Sequence, residues 1–285
     1  MENPKISVVM ATYREPEEYL RKSIESILNQ TFKDFEFIIV LDDPDNKRNE
    51  EIIREYTNRD KRIVFLKNER NLGRGASRNR AISIARGKYI AIMDADDIAL
   101  PERLEKQYNY LEDNRDVGLL FTWVYWIDER DNIIKMFKPE RHKIKNIRKY
   151  FFKEHLLVHP SMMVKTEILK KLKYRENLLR SEDYDLWIRC ILNNCDFDIV
   201  EEFLLKYRVV KEDIGKRIRK QKNYSKYSTL ILWNYKRYFY KDPYFWKEFL
   251  FHLSMYLFLT VAPKGLIKQL IKIKDNDKKV VEWKK

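Results

Sequence analysis

Four short apolar segments alternate with helix-spaced stretches through the first hundred residues, and that alternation admits few folds. Residues 5–11 are short, β-branched and nearly all apolar, the mark of a strand buried on both faces. Pro16, Glu17 and Glu18 suit a helix start, where a missing N–H costs nothing and negative charge meets the positive dipole end. Leu20, Ile24, Ile27 and Leu28 continue at helical spacing. Strand character returns at Phe35–Leu41, Ile63–Leu66 and Tyr89–Met93, with helices expected over 47–57 and 76–85. The reading is an α/β fold: a mostly parallel sheet flanked by helices, binding ligands beyond the carboxyl ends of its strands.

Three polar clusters reach that edge: Thr12-Tyr13-Arg14-Glu15, Asp42-Asp43-Pro44-Asp45 and Asp94-Ala95-Asp96-Asp97. The third packs three carboxylates into four positions after an apolar run, although Asp is poor in strands and like charges repel. A divalent cation gives the cluster a purpose, because Mg²⁺ and Mn²⁺ take hard oxygen ligands, and Asp94 and Asp96 are spaced to share one ion. An acidic turn capping the next helix is the other reading of an isolated Asp-x-Asp. Three such clusters together describe a site.

Downstream, a helix is expected from Pro101 to about Asn114, then strand Gly118–Trp126, which turns at Asp131-Asn132 into Ile133–Phe137. A helix over 143–152 and a loop and strand at 158–164 follow. Ser181 stands as N-cap of an amphipathic helix bearing Tyr184, Trp187, Ile188 and Ile191, which by itself accounts for Glu182 and Asp183 in the first turn. Cys190 and Cys195 are too few for a disulfide framework and lack His partners for zinc, so both read as reduced and cytosolic. The N-terminus runs straight into a strand, and no signal peptide is expected.

The net charge of +14 is unevenly placed: residues 206–285 hold 21 Lys/Arg against 7 Asp/Glu, and the remainder balances. Phe249–Ala262 is uncharged and apolar but short of the ~20 residues that span a bilayer, so a buried or interfacial helix is expected. Beyond Pro263, Leu266, Ile267, Leu270, Ile271 and Ile273 form one stripe, and Lys264, Lys268 and Lys272 another. A cationic amphipathic helix after an aromatic belt suits an anionic membrane surface; packing on the preceding α/β domain is the competing reading. Nucleic acid is disfavoured, because no recognition motif appears and an acidic cleft repels phosphate.

Taken together, these pieces resemble glycosyltransferase family 2, inverting enzymes of the nucleotide-sugar-binding GT-A fold, in a bacterial polysaccharide-type form. The resemblance rests on Ser7–Tyr13, Ser26–Thr31, Phe35–Asp43, Asn71-Leu72-Gly73 with Ala76–Asn79, Met93–Asp97, His159-Pro160-Ser161 and Glu182-Asp183-Tyr184, in the family's order across residues 5–208. One departure is plain: Pro44 and Asp45 stand where the family usually carries Gly-Ser. The resemblance implies a GT-A catalytic domain over 1–210, with a nucleotide-sugar half to about 100 and an acceptor half beyond it. Residues 211–285 would form a helical extension.

By position, Thr12, Tyr13, Arg14 and Glu15 should border the base and ribose, and Asp43, with Asp42, should accept a hydrogen bond from the base. Asp94, Ala95 and Asp96 should face the donor, Asp94 and Asp96 as ligands of Mg²⁺ or Mn²⁺; Arg78 should hold diphosphate or sugar. Asp183, with Glu182 beside it, should be the catalytic base; His159 is a further candidate whose role is open between the site and local structure. The implied activity is metal-dependent transfer from a nucleotide sugar, a UDP-sugar, to a glycan or polyprenyl-diphosphate-linked acceptor, on the cytoplasmic face of the membrane. Alternatives are a polyprenyl-phosphate glycosyltransferase, a sugar-phosphate nucleotidyltransferase, whose Gly-rich phosphate loop is missing, and a non-catalytic sugar-nucleotide-binding protein. Oligomeric state is not legible.

Overall fold

The computed structural model describes residues 3–263, 265–267 and 269. Strands β1 (Ile6–Thr12), β2 (Phe35–Leu41), β3 (Ile63–Lys67) and β4 (Tyr89–Asp94) alternate with helices α1 (Glu17–Leu28), α2 (Lys47–Arg59) and α3 (Arg74–Ile84). They lie side by side in the order β3-β2-β1-β4, all parallel. β2 is buried at every residue, as a strand covered on both faces must be. The register pairs Thr12 with Leu41 and Ala11 with Asp94, so the carboxyl ends of β1, β2 and β4 finish together and the three polar clusters emerge at one edge.

Beyond β4 the sheet turns antiparallel. Short β5 (Ile98–Ala99) and α4 (Arg103–Asp113) lead into β6 (Val117–Ile127) and its hairpin partner β7 (Ile133–Phe137). β8 (Met163–Lys165) lies between β4 and β6, antiparallel to both, and β9 (Asp196–Arg208) runs parallel to β6. The result is a nine-stranded sheet ordered β3-β2-β1-β4-β8-β6-β9-β5, with β7 paired to β6 off this order.

Several expectations shift. The helix foreseen over 143–152 is two short pieces, α5 (Arg141–Lys145) and α6 (Ile147–Tyr150), broken at Asn146. Helix α7 (Thr166–Leu172) and strands β5 and β9 were not foreseen; β9 holds charged residues at Asp196, Asp198, Glu201, Glu202 and Lys206, which obscure its apolar periodicity. Helix α8 (Glu182–Leu192) begins where expected, but Ser181 makes no capping bond. Its backbone is left-handed, φ 59°, a conformation uncommon outside glycine and unlike the extended geometry of a Ser N-cap.

The boundary between two compact units falls at Val210/Lys211. In the second, α9 (Ile214–Phe239) and α10 (Pro243–Val261) form a hairpin. Asp213 and Asp242 cap the two helices, accepting from Lys216 N (2.9 Å) and Tyr244 N (2.8 Å). Phe239 stacks on Phe245 and Trp233 on Phe249. Among the described residues no helix is long and apolar enough to cross a membrane. Of the basic amphipathic stripe, Leu266 and Ile267 are described; Lys264, Lys268, Leu270, Ile271, Lys272 and Ile273 lie outside the described residues.

Gly87 shows how tightly β1 and β4 meet. A Cβ there would fall 2.4 Å from Ser7 N and 2.6 Å from Ile6 C, both main-chain atoms that cannot yield without moving β1. The Gly87 N–H donates to Ser7 Oγ (2.8 Å), and that hydroxyl donates to buried Glu36 (2.7 Å). Gly87→Ala is therefore expected to lower unfolding free energy by about 2 kcal/mol or more in urea titration. An unchanged midpoint and slope would show that the strands separate more freely than their packing implies.

Candidate active site

The loop after β1 is fixed by one carboxylate. Glu15 Oε2 accepts from Thr12 Oγ1 (2.6 Å) and from the Tyr13 N–H (2.7 Å). Arg14 stays exposed, yet its Nε donates to Asp43 Oδ2 (2.6 Å), and its guanidinium lies 4.9 Å from the centre of the Tyr13 ring. The Arg14 hydrogen bond holds the Asp43 carboxyl below the usual range, so the first and second polar clusters are joined at the surface.

Asp42, expected at the base, is buried with both oxygens occupied. Oδ1 accepts from Asn68 Nδ2 (2.6 Å) and Leu72 N (2.7 Å), and Oδ2 from Gly73 N (2.8 Å). These bonds shape the turn into α3, where Gly73 takes φ 88°, a value natural for glycine. Asp42 therefore aims a helix at the site.

That helix carries Arg78, whose side chain is 3% exposed. Its Nη2 donates to Asp94 Oδ1 (2.7 Å) and its Nη1 to Glu182 Oε1 (3.0 Å). One planar guanidinium thus ties the acidic cluster after β4 to the acidic pair opening α8, with Glu182 lying 104 residues beyond Arg78 in the chain. Burial works against the Arg78 charge, but Asp94 and Glu182 outweigh it and raise its pKa. Burial would also raise Glu182; Arg74, 3.5 Å away, and Arg78 hold it lowered instead. Asp183 goes the opposite way: burial, then the Glu182 charge, push it up to about 6. Adjacent carboxyls with opposed shifts can divide the work, one staying ionised to hold Arg78 and the other exchanging a proton near neutrality.

The remaining expected residues are less evenly placed. His159, in a 3₁₀ turn (His159–Ser161), is buried with Nε2 2.8 Å from the Tyr174 hydroxyl, and burial drives its pKa well down. It is a neutral imidazole packed near Arg78. Ala95 packs into the hydrophobic core. Asp96 is half-buried, and burial followed by the charges of Asp94 and Glu15 pushes it up to about 7. Asp97 is fully buried, accepts from Arg208 N (2.8 Å) through Oδ1, and has no hydrogen-bond partner at Oδ2 among the described residues.

Sequence reasoning missed Arg208. At the end of β9 its buried guanidinium donates to the Asp96 carbonyl (2.7 Å) and the Asp128 carbonyl (2.9 Å), ion-pairs with Asp131 and stacks 4.1 Å over the Tyr19 ring. It ties the Asp94–Asp97 turn to the β6–β7 hairpin. Tyr174 and Arg74 were also missed; no spacing in the sequence relates either to the residues it meets.

The donor set can be tested against a divalent cation. Asp94 keeps one oxygen clear of its Arg78 bond, and Asp96 is a carboxyl with negative neighbours at Asp94 and Glu15. Hard carboxylate oxygens, one of them on Asp94 clear of the Arg78 bond, fit Mg²⁺ or Mn²⁺. Among the described residues no group of three or more His, Cys, Asp or Glu side chains is arranged to hold an ion. Two carboxylates with substrate phosphates completing the shell is the usual arrangement for Mg²⁺.

Comparison with known proteins gives the family and the fold. The family model of glycosyl transferase family 2 matches residues 7–173. An uncharacterised glycosyltransferase of Methanocaldococcus jannaschii is 65% identical over 276 residues, covering 96% of this chain and 95% of the relative. The O-antigen biosynthesis glycosyltransferase WbnJ of Escherichia coli is 38% identical over 209 residues, 72% of this chain and 79% of WbnJ. The fold matches a fragment of S. aureus TarS with a TM-score of 0.65 at 20% identity, over 90% of this chain and 72% of the fragment. The chain spans 40% of a longer TarS structure. The fold is GT-A.

Removing Arg78 leaves buried Glu182 with only the longer Arg74 contact (3.5 Å) and leaves Asp94 without its guanidinium partner. Arg78→Met is expected to cost about 3–5 kcal/mol in urea denaturation. Arg78→Lys should recover only part of this, because a single ammonium lacks the fork that reaches both carboxylates. Wild-type stability in Arg78→Met would remove the bridge from its organising role.

Proposed function

The chain belongs to glycosyltransferase family 2, and we propose that it transfers a sugar from a UDP-sugar, with inversion and with a divalent metal, to a glycan or polyprenyl-diphosphate-linked acceptor in surface-polysaccharide assembly. The observation that carries this reading is the Arg78 bridge, which sets the Asp-x-Asp end of the cleft beside Glu182 and, next to it, the raised carboxyl of Asp183. S. aureus TarS, of like fold, has been solved with UDP and with UDP-GlcNAc, and WbnJ is named for O-antigen biosynthesis; these suggest the donor and acceptor classes. The proposed setting is the cytoplasm, peripheral on the inner face of the membrane.

In this reading Thr12, Tyr13, Arg14 and Asp43 border the base and ribose, and Glu15 holds their loop in shape. Arg78 holds Asp94 in place and lends positive charge to the diphosphate end of the cleft. Asp94 and Asp96 would hold the metal, which when bound supplies charge neutralisation for the leaving diphosphate. Asp183 accepts the proton of the acceptor hydroxyl as its oxygen attacks the anomeric carbon; the nucleoside diphosphate departs from the opposite face with the bonding electrons. The glycosidic bond forms in the step that breaks the donor bond, and no covalent enzyme intermediate is needed. Glu182 stays ionised beneath Arg78, a positioning residue.

Three outcomes follow. Asp183→Asn should retain UDP binding while turnover, read as UDP release with acceptor present, falls by about 10²–10⁴-fold; near-wild-type turnover would displace Asp183 as the base. A base must be ionised to act, and the Asp183 carboxyl sits at about 6. Log turnover should therefore rise with unit slope as pH climbs toward that value and level off about one unit above it. A flat profile from pH 5 to 8 would contradict this. Asp96→Ala should abolish the Mn²⁺-dependent part of UDP binding in calorimetry, and unchanged affinity with Mn²⁺ would count against the metal assignment.

A further inference from the structure

Helix α10 is apolar on two opposite faces. Phe245, Phe249 and His252 lie on one face, buried, where they meet Phe239, Trp233 and Tyr224 of α9. Helical geometry puts Leu250, Phe251, Leu257, Phe258 and Val261 on the reverse side, half a turn away. All five are exposed, from 38% at Phe258 to 78% at Val261. A helix that is apolar all round belongs in a core or in contact with lipid. Here one side has its core, and the other carries a stripe of five large apolar side chains facing water, with small Ser254 among them donating its hydroxyl to the Phe251 carbonyl (3.0 Å).

The surroundings of the stripe select its occupant. Lys247 is exposed on the same face, one turn before Leu250 and Phe251. At the turn between the helices, Tyr238, Tyr240 and Tyr244 are exposed beside Arg237 and Lys241. Phenol rings and long cations beside an apolar stripe match the headgroup level of a bilayer, where each has an apolar body and a polar tip to place. The chain's entire net charge of +14 is carried by residues 206–285, which complements an anionic surface.

We propose that the outer face of α10 docks on an anionic phospholipid bilayer, lying in the interface with Leu250, Phe251, Leu257, Phe258 and Val261 in the acyl boundary and Lys247 among the headgroups. The helix lies on the membrane and does not cross it, as its composition requires. This places the docking face on α10, upstream of the basic stripe that the sequence suggests beyond Pro263. The surface rests on exposure and charge alone; its purpose, bringing the enzyme to a lipid-linked acceptor, rests on the proposed function.

The test uses the full chain and two measurements. Co-sedimentation compares vesicles of phosphatidylcholine with vesicles containing one quarter phosphatidylglycerol, for the native chain and for Leu257→Glu/Phe258→Glu, and UDP release from UDP-sugar is measured without vesicles. The native chain should bind the anionic vesicles at least tenfold better than the neutral ones. The double variant should lose at least tenfold in vesicle binding while its melting temperature and vesicle-free UDP release stay native. Equal vesicle binding by both chains, or none by the native chain, overturns the proposal. So does a native chain that sediments as a dimer dispersed by the double variant and leaves vesicles in solution, since the face would then be a contact between copies. Absence of UDP release from every donor tried, with vesicle binding lost only in the variant, would overturn the proposed function and leave the docking surface standing.

Discussion

The buried guanidinium of Arg78 is the constraint on which the site depends. Two carboxylates from distant parts of the chain converge on it, one at the end of a parallel strand and one in the first turn of α8. Without the cation, Asp94 would adjoin Asp96 and Asp97 and Glu182 would adjoin Asp183, two acidic clusters with every reason to move apart. Desolvating Arg78 is itself unfavourable, so the arrangement is worth having only because the fork satisfies both partners at once. Asp42 sets this up from a distance by shaping the turn that starts α3.

The same bridge accounts for how the acidic pair divides. Glu182 and Asp183 are neighbours in sequence and alike in chemistry, yet Glu182 faces Arg74 and Arg78 and is held ionised, whereas Asp183 sits beside the Glu182 charge and is lifted. A carboxyl held in reserve near neutrality needs a permanently charged companion. The left-handed backbone at Ser181 fits this picture: it turns the chain so that the first residues of α8 enter the cleft, in place of the capped start that the Ser-Glu-Asp pattern suggested.

Much of the fold was legible where its logic is local. Strands Phe35–Leu41 and Ile133–Phe137 appear with the expected bounds, and the polar clusters meet at one edge because parallel strands in register end together. What the sequence concealed was long-range. Nothing around Arg208 suggests that it grips the Asp96 carbonyl from more than a hundred positions away, nor around Tyr174 that it pairs with His159. Charged residues masked β9, whose role is to close the sheet against β6. Asp42 was visible as an acid in the right loop, but only its bonds from the Asn68 amide, Leu72 N and Gly73 N show how it shapes the turn into α3.

The uneven charge of the chain has a colloidal side. A stripe of five large apolar residues on α10 is a place where two copies could adhere in dilute buffer, and the cations crowded into the same unit set those copies against each other at short range. That repulsion acts over roughly 10 Å at about 0.1 M salt and shrinks as salt rises. Concentrated salt, which usually helps keep basic proteins off nucleic acid during purification, would here strip away the barrier between apolar faces. On the docking proposed for α10, the charge that would draw this unit toward an anionic surface also sets copies against each other in the absence of one.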